Sequence, residues 1–271
     1  LLIHGDGVSA RTVSKQPDRQ DRMSIPPQQP ARGGAIHNLL GQRDVRVLES
    51  CDSTNRVARL ALDDGAAVGL VVVSEVQTAG RGRLGRSWES SAGQNLLFSL
   101  VLKPRVPLER AASCVLSWAA AMAEVLDCRL KWPNDLQDER GAKLGGILSE
   151  LHCSEPEEAD SWCVILGVGL NVNQLDFPGL PDATSLRRMR QRSLDRSVLL
   201  RDLVRAIEEV DPSHSSALDL WRARSNTLGR HIRIGQREGL AESIRDDGAL
   251  IVDGEPVLAG DVEFLSRTDG T

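Results

Sequence analysis

Short apolar runs bounded by polar or turn-forming residues follow one another along most of this chain. Runs of this length that are rich in Val, Leu and Ile are typical of buried β-strands. They predict strands at RVLES (46–50), GLVVVSEVQ (69–77), NLLFSLVL (95–102), RLKW (129–132), 143–152 and 162–171. Because the last two are close in sequence, they can form a hairpin.

Between these strands, apolar residues recur at helical spacing. Asp52 or Ser53 can cap a helix that runs to about Leu62, with Gly65 just past its end. Residues 109–127 combine small and apolar side chains over the longest such stretch and predict the longest helix. Further helices are expected near 197–210 and 214–225.

Near the C-terminus the spacing changes from helical to alternating. HIRIG (231–235) alternates strictly between polar and apolar residues. Asp247–Gly248 and Asp253–Gly254 mark tight turns between short strands. Residues 227–266 are therefore predicted to form a small β-barrel.

Residues 1–35 differ from the rest in composition. They are rich in Gln, Arg, Pro, Ser and Gly, and they contain too few large apolar side chains to become ordered. Met23 lies in this segment, and one hypothesis is that translation begins there. The predicted domains are a disordered extension (1–35), a large domain (36–225) and a small C-terminal domain (226–271). The extension is too short and too polar for a helix-turn-helix module.

Composition narrows the function classes for this chain of 271 residues. Its net charge of −5 argues against a protein whose main task is to hold nucleic-acid phosphates. The five scattered cysteines form no CxxC pair, which favours free thiols in a reducing cytosol over disulfides or a zinc site. No apolar run reaches the length of about 18 residues that a membrane span needs, and the N-terminus lacks the order of a signal peptide. We expect a soluble, cytoplasmic protein.

The segment GRGRLGRSW (80–88) combines three glycines and three arginines with Trp88. Its G-x-G-x-x-G pattern follows a predicted strand, but the next strand, at 95, leaves no room for the helix that a dinucleotide site requires. We interpret the segment as a mobile loop whose guanidinium groups bind carboxylate or phosphate oxygens. Trp88 would offer a flat face to a purine or an apolar ligand chain. The alternative is a solvated basic turn with a packing tryptophan.

Four other clusters combine polar side chains with glycines or with the ends of predicted elements: STN (53–55), KWPND (131–135), KLGG (143–146) and GVGLNVN (167–173). The amide of Asn134 can bind a base or ribose edge, and the carboxylate of Asp135 can hold Mg²⁺ directly or through water. Lys143 can neutralise an anion that approaches the neighbouring glycines, and Asn171 and Asn173 are expected on one strand face. Each cluster also has a purely structural explanation: STN can be an N-cap and KWPND an Asn-Asp turn. KLGG can be a surface lysine before a β-bulge, and GVGLNVN a tightly packed strand.

Taken together and in this order, five motifs closely resemble those of the biotin protein ligases: STN, QTAGRGRLGRSW, KWPNDL, KLGGIL and GVGLNVN. The resemblance extends from about residue 44 to about residue 266. The resemblance implies an α+β fold: a central mixed sheet with flanking helices, of the class II synthetase-like biotinyl/lipoyl transferase type, followed by an SH3-like β-barrel. Some members carry an N-terminal DNA-binding domain that residues 1–35 cannot supply, so a pure enzyme is expected.

The resemblance also implies a two-step reaction. Biotin and MgATP give biotinyl-5′-AMP and pyrophosphate, and a lysine of a biotin carboxyl carrier domain then displaces AMP. ATP and Mg²⁺ are the implied cofactors, biotin is the substrate, and the carrier domain is the partner. Neither DNA nor a membrane is an expected partner, and the family includes monomers and homodimers.

Positions that match the family's motifs imply the site residues. Lys143 and Arg83 are implied as catalytic, and Asp135 as a magnesium ligand. The implied biotin contacts are Ser53, Thr54, Asn55, Gln77, Gly80, Arg81, Gly82, Arg83, Lys143, Gly146, Gly167 and Gly169. The implied ATP contacts are Arg83, Arg86, Trp88, Asn95, Lys131, Asn134, Asp135 and Asn171.

The chain departs from the family pattern in two places. Leu84 stands where some relatives have arginine, and Ser243-Ile244-Arg245 replaces a Gly-Ile-Asp run in the barrel. Two alternative functions remain. A lipoate–protein ligase shares the adenylation chemistry, but its signature loop has an Arg-Arg pair and a glycine triplet. A nucleic-acid-binding module is disfavoured by the acidic charge and by the aromatic content of 3%.

Overall fold

A seven-stranded mixed sheet forms the centre of the protein in a computed structural model that describes residues 36, 39–153, 162–214 and 216–265. Its strands are β1 (Val45–Cys51), β2 (Val71–Gln77), β3 (Leu96–Leu102), β4 (Arg129–Lys131), β5 (Asp135–Gln137), β6 (Lys143–Cys153) and β7 (Trp162–Leu170). They lie in the order β1-β2-β3-β7-β6-β5-β4. β1 and β2 are parallel and every other neighbouring pair is antiparallel. The predictions made for residues 1–35 lie outside the described residues.

Both faces of this sheet are covered because its central strands are apolar on both sides. Along β2, Val71 and Val73 join the main hydrophobic core, whereas Val72 belongs to a second cluster on the opposite face. Ala58 and Ala61 of α1 (Thr54–Asp63) cover the second cluster. The main core contains α2 (Ala111–Leu126), α4 (Arg196–Glu209) and α5 (Asp219–Arg224), and a short helix, α3 (Leu186–Arg190), precedes α4.

The C-terminal residues form a separate antiparallel sheet of five strands in the order β11-β10-β9-β8-β12. The strands are β8 (His231–Ile234), β9 (Arg237–Ile244), β10 (Leu250–Val252), β11 (Glu255–Val257) and β12 (Glu263–Phe264). The predicted turns contain residues with positive φ, at Gly248 (90°), Asp253 (47°) and Gly254 (80°). The end strands β11 and β12 do not pair with each other, so the described strands make an open SH3-like sheet instead of a closed barrel.

The structure confirms the α+β class and each strand predicted between residues 44 and 171, including the antiparallel pair β6–β7. The last of these strands ends at Leu170, so the expectation that Asn171 and Asn173 alternate on a strand face is wrong. The helix expected near 214–225 is shorter, because α5 begins only at Asp219. Two elements were missed, β5 and α3. Ser53 precedes α1 as predicted, but its side chain makes no capping hydrogen bond.

Trp132 connects the two sheets. Its indole Nε1 donates to the carbonyl of Gly248 at 3.2 Å, and its backbone N–H donates to Thr227 Oγ1 at 2.9 Å. The peptide bond between Trp132 and Pro133 is cis. One continuous core contains Trp132 together with Ile232 and Leu250 of the C-terminal sheet. The division into domains at residues 225 and 226 stays a prediction.

None of the helices in the described part of the chain combines the length and the apolar character that a membrane span requires.

Trp132→Ala should lower the free energy of unfolding by about 3–5 kcal/mol, because it leaves a large cavity and removes a hydrogen bond between the sheets. Chemical denaturation measures this. Val68→Ala, at an exposed position, is the control and should change stability by less than about 0.5 kcal/mol. Equal effects of the two substitutions would contradict the connecting role of Trp132.

Candidate active site

A cavity of about 1020 Å³ opens beside the β6–β7 pair. The start of α1, the loop between β2 and β3, the β4–β5 turn and the segment after β7 form its walls, and Asp261–Glu263 of the C-terminal part close one side. The sequence motifs are far apart along the chain, and the sheet brings one end of each to this cavity.

The cavity brings together most of the residues predicted for the site. Those that line it are Ser53, Thr54, Asn55, Gln77, Arg81, Gly82, Arg83, Arg86, Trp88, Lys131, Asn134, Asp135, Lys143, Gly146, Gly167, Gly169 and Asn171. Gly80 and Asn95 do not line it. The carbonyl of Gly80 accepts from the N–H of Trp88 at 2.9 Å. Asn95 is buried, and its Oδ1 accepts from the N–H of Val172 at 3.1 Å.

The glycine-arginine segment folds back on itself as a hairpin-like loop. The N–H of Gly82 donates to the carbonyl of Arg86 at 2.7 Å. At the tip, Leu84 and Gly85 have φ values of 55° and 74°. A single 3₁₀ turn, Arg83–Gly85, is the only helical piece between β2 and β3 in the described residues. The exclusion of a dinucleotide-binding βα turn therefore agrees with the fold.

Trp88 lies over two glycines of the central sheet. A Cβ added to Gly146 would lie 3.5 Å from its ring, and one added to Gly169 would overlap the ring. The Nζ atom of Lys143 lies 5.9 Å from the ring centroid. Gly146 and Gly169 were implied as biotin contacts, but in this structure the indole of Trp88 occupies the space over them. Its Nε1 is buried and has no hydrogen-bond partner among the described residues.

Cationic side chains line one end of the cavity, beside Asp135 and Asp261. Lys143 Nζ donates to Asp135 Oδ1 at 2.7 Å. Arg83 Nη1 donates to the Gly260 carbonyl at 3.1 Å and to Asp261 Oδ1 at 3.3 Å. Arg86 also forms an ion pair with Asp261. Arg83 and Arg86 of the loop therefore contact the C-terminal part of the chain.

Burial changes the titration of two of these cations. It lowers the pKa of the Arg83 guanidinium, and the charge of Asp135 partly opposes the change. Burial also lowers the pKa of Lys131, again against the opposing charge of Asp135. Both cations are partly desolvated, so an anion that reaches them interacts more strongly than it would in water.

A network of hydrogen-bonded polar side chains, centred on the buried Thr54 and Asn55, forms the other end of the cavity. Gln77 Oε1 accepts from the backbone N–H of Thr54 at 2.8 Å. Asn55 Nδ2 donates to the Leu148 carbonyl at 3.0 Å and to Glu150 Oε1 at 2.9 Å. The Asn55 amide fills the position that a side chain at Gly167 would need. Glycine is therefore required at this point of β7.

The sequence interpretation missed three residues that contact the site. Asp261 and the Gly260 carbonyl hold the arginines, and nothing in the local pattern of the C-terminal strands indicates this contact. Ser99 contacts both Thr54 and Asn55 from inside β3. Its position in an apolar strand is the one signal that a sequence interpretation could have used, because a buried hydroxyl needs a hydrogen-bond partner.

Within the described residues, no three His, Cys, Asp or Glu side chains cluster closely enough to hold a metal ion. Asp135 lines the cavity as one carboxylate, and its Oδ1 accepts from Lys143.

Comparisons with known proteins agree with this geometry. Residues 47–171 match the model of the biotin/lipoate A/B protein ligase family. The biotin–[acetyl-CoA-carboxylase] ligase of Mycobacterium tuberculosis is 38% identical over 250 residues, which cover 83% of this chain and 90% of that protein. The corresponding ligase of Paracoccus denitrificans is 34% identical and covers 77% and 93%.

Solved structures agree as well. The biotin protein ligase of Aquifex aeolicus in complex with biotin and ATP superposes with a TM-score of 0.66 at 26% identity, over 81% of this chain and 97% of that one. With this fold, this cavity and these relatives, the chain belongs to the biotin protein ligase family.

Proposed function

We propose that this chain activates biotin with ATP to give biotinyl-5′-AMP and transfers the biotinyl group to a lysine of a biotin carboxyl carrier domain. The observation that carries the proposal is that one cavity is lined both by a buried hydrogen-bonded cluster and by a cationic cluster. Such a cavity suits a ligand with a polar head and a carboxylate next to a nucleotide. Two of the relatives are named biotin–[acetyl-CoA-carboxylase] ligases, which agrees with this activity.

In the first step, a carboxylate oxygen of biotin attacks the α-phosphorus of ATP, and the bond to the pyrophosphate leaving group breaks. Both reactants are anionic, so cations at the junction lower the barrier. We assign this role to Lys143 and Arg83. In the second step, the carrier lysine attacks the biotinyl carbonyl carbon, and the bond to AMP breaks.

The buried end is assigned to the bicyclic head of biotin, with Ser53, Thr54, Asn55 and Gln77 as its polar wall. Lys131, Asn134 and Asn171 are assigned to the nucleotide, together with Arg86 and Trp88. Gly146, Gly167 and Gly169 line the same cavity, the first and third beneath Trp88 and the second against Asn55. Gly80 and Asn95 hold neighbouring backbone in place, so any role they have in binding is indirect.

Asp135 fits a role in holding Mg²⁺. Magnesium is usually bound by one or two protein carboxylates together with substrate phosphates, and Asp135 supplies one carboxylate in the cavity. The ion would neutralise phosphate charge. Lys143 already contacts Asp135, so the same carboxylate also positions the lysine beside the reacting groups.

The expected setting remains the cytoplasm, where the five cysteines, all free in the structure, would stay reduced. The carrier domain is the proposed macromolecular partner. Neither DNA nor a membrane is proposed as a partner, and both a monomer and a homodimer are compatible with the proposal.

The direct test is biotin-dependent exchange of pyrophosphate into ATP, followed by transfer of biotin to a purified carrier domain. Lipoate is the control substrate. Exchange with biotin and none with lipoate supports the proposal. Exchange with lipoate alone would instead support a lipoate–protein ligase, and salt-dependent RNA or DNA binding without exchange would support a nucleic-acid-binding module.

Lys143→Ala should slow biotin-dependent pyrophosphate exchange by about a hundredfold or more, because it removes one oriented charge at the junction. The matched control is Lys103→Ala, at an exposed lysine away from the cavity, which should leave the rate unchanged. An exchange rate that survives Lys143→Ala would remove this lysine from the mechanism.

Arg83→Ala should let biotinyl-5′-AMP leave the site before the carrier arrives, because Arg83 is assigned to the phosphate of the intermediate. The measurement is biotin labelling of a bystander protein such as serum albumin, relative to labelling of the carrier. Arg192→Ala, at an exposed arginine outside the cavity, is the control. Labelling that stays confined to the carrier would show that Arg83 does not retain the intermediate.

A further inference from the structure

Ser99 occupies the centre of β3, is 0% exposed and does not line the cavity. Its hydroxyl oxygen lies 2.7 Å from Asn55 Oδ1 and 2.8 Å from Thr54 Oγ1. Both neighbours line the cavity, so Ser99 contacts two residues of the cavity wall without facing the cavity itself. The direction of these two hydrogen bonds can be derived from the groups around them.

The orientation of the Asn55 amide is fixed by two acceptors. Its Nδ2 lies 3.0 Å from the Leu148 carbonyl and 2.9 Å from Glu150 Oε1, and neither oxygen can donate. The oxygen end, Oδ1, therefore faces Ser99. Because Oδ1 can only accept, the hydroxyl proton of Ser99 must point to Asn55.

This assignment determines the role of the Thr54 hydroxyl. The single hydroxyl proton of Ser99 is used in the hydrogen bond to Asn55. The 2.8 Å contact between Ser99 Oγ and Thr54 Oγ1 is therefore a hydrogen bond only if the Thr54 hydroxyl donates to Ser99. The competing acceptor, Gln77 Oε1, is farther from Thr54 Oγ1, at 3.1 Å, and already accepts from the Thr54 backbone N–H. The hydroxyl proton is thus directed away from the cavity, and the lone pairs of Thr54 Oγ1 are available to a ligand.

We propose that Ser99 is a positioning residue that makes Thr54 a hydrogen-bond acceptor and so selects a ligand with an N–H group at its head. The inference rests on the proposed function, because a cyclic urea presents N–H groups on both sides of its carbonyl. Gln77 complements this pattern. Its Oε1 is held by Thr54, so the other end of its amide, Nε2, is a donor suited to the urea carbonyl.

The test compares the affinity for biotin with the affinity for analogues that lack one ureido N–H. Isothermal titration measures the dissociation constants for biotin and for cyclic carbamate analogues, in which oxygen replaces one or the other ureido N–H. The unsubstituted protein should bind biotin more tightly than at least one carbamate, because an acceptor facing a ring oxygen is unfavourable. In Ser99→Val the Thr54 hydroxyl loses its nearer partner and keeps only the more distant acceptor, Gln77 Oε1 at 3.1 Å. The hydroxyl can then also turn and donate to a ring oxygen, so the preference for biotin should fall by about five- to tenfold.

Ser99→Thr is the matched variant, because it has the shape of valine but keeps the hydroxyl, and it should retain the preference. Ser117→Ala is a second control. Ser117 is also buried, but its hydroxyl donates to the Ser113 carbonyl inside α2, and neither residue lines the cavity. Thermal unfolding checks that each variant folds. If valine does not fold at this position, Ser99→Ala removes the same hydroxyl without adding volume.

A merely structural role for Ser99 would weaken binding of biotin and of the carbamates equally and leave their ratio unchanged. An unchanged ratio in Ser99→Val or Ser99→Ala would therefore overturn the inference while leaving the proposed function intact. Absence of biotin binding by the unsubstituted protein would overturn both.

Discussion

Gly146 of β6 lies directly opposite Gly169 of β7, and Leu148 lies opposite Gly167. This register places two side-chain-free positions side by side beneath Trp88 and a third against Asn55. Because successive residues of a strand point to opposite faces, a slip of one residue would turn the glycines away and fill the site with Leu or Val side chains. The antiparallel β6–β7 ladder therefore determines where the cavity can form.

The two ends of the cavity offer a ligand different kinds of interaction. At the head-group end, amide and hydroxyl groups are buried and connected, so a mismatched ligand leaves an unpaired polar group and binds much more weakly. At the opposite end, charged side chains are partly exposed and pair with carboxylates of the protein. Under the proposed function, specificity is therefore assigned mainly to the buried end, and chemistry to the charged end.

Much of this fold could be predicted from the sequence, since the apolar runs that become β2 and β3 and the small apolar residues of α2 are local signals. β5 could not, because three residues that begin with a polar Asp carry no strand pattern. The site motifs could be recognised as a set, but not their contacts. The pairing of Arg83 with Asp261 joins positions that are distant in sequence, and Asn95 was assigned to ATP although its buried side chain holds the backbone of Val172.

The contact between the arginine loop and Asp261 shows why the C-terminal sheet matters to a cavity formed mainly by the other one. Arg86 is 60% exposed, and exposed ion pairs of this kind typically contribute about 0–1 kcal/mol. A polyphosphate carries more charge than one carboxylate, and its oxygens match the geometry of guanidinium groups. Under the proposed function, exchanging Asp261 for a phosphate would therefore cost Arg86 little. Under the proposed function, Asp261 would hold the arginines in position before the nucleotide binds. Trp132 anchors to the central sheet the C-terminal part of the chain that carries Asp261.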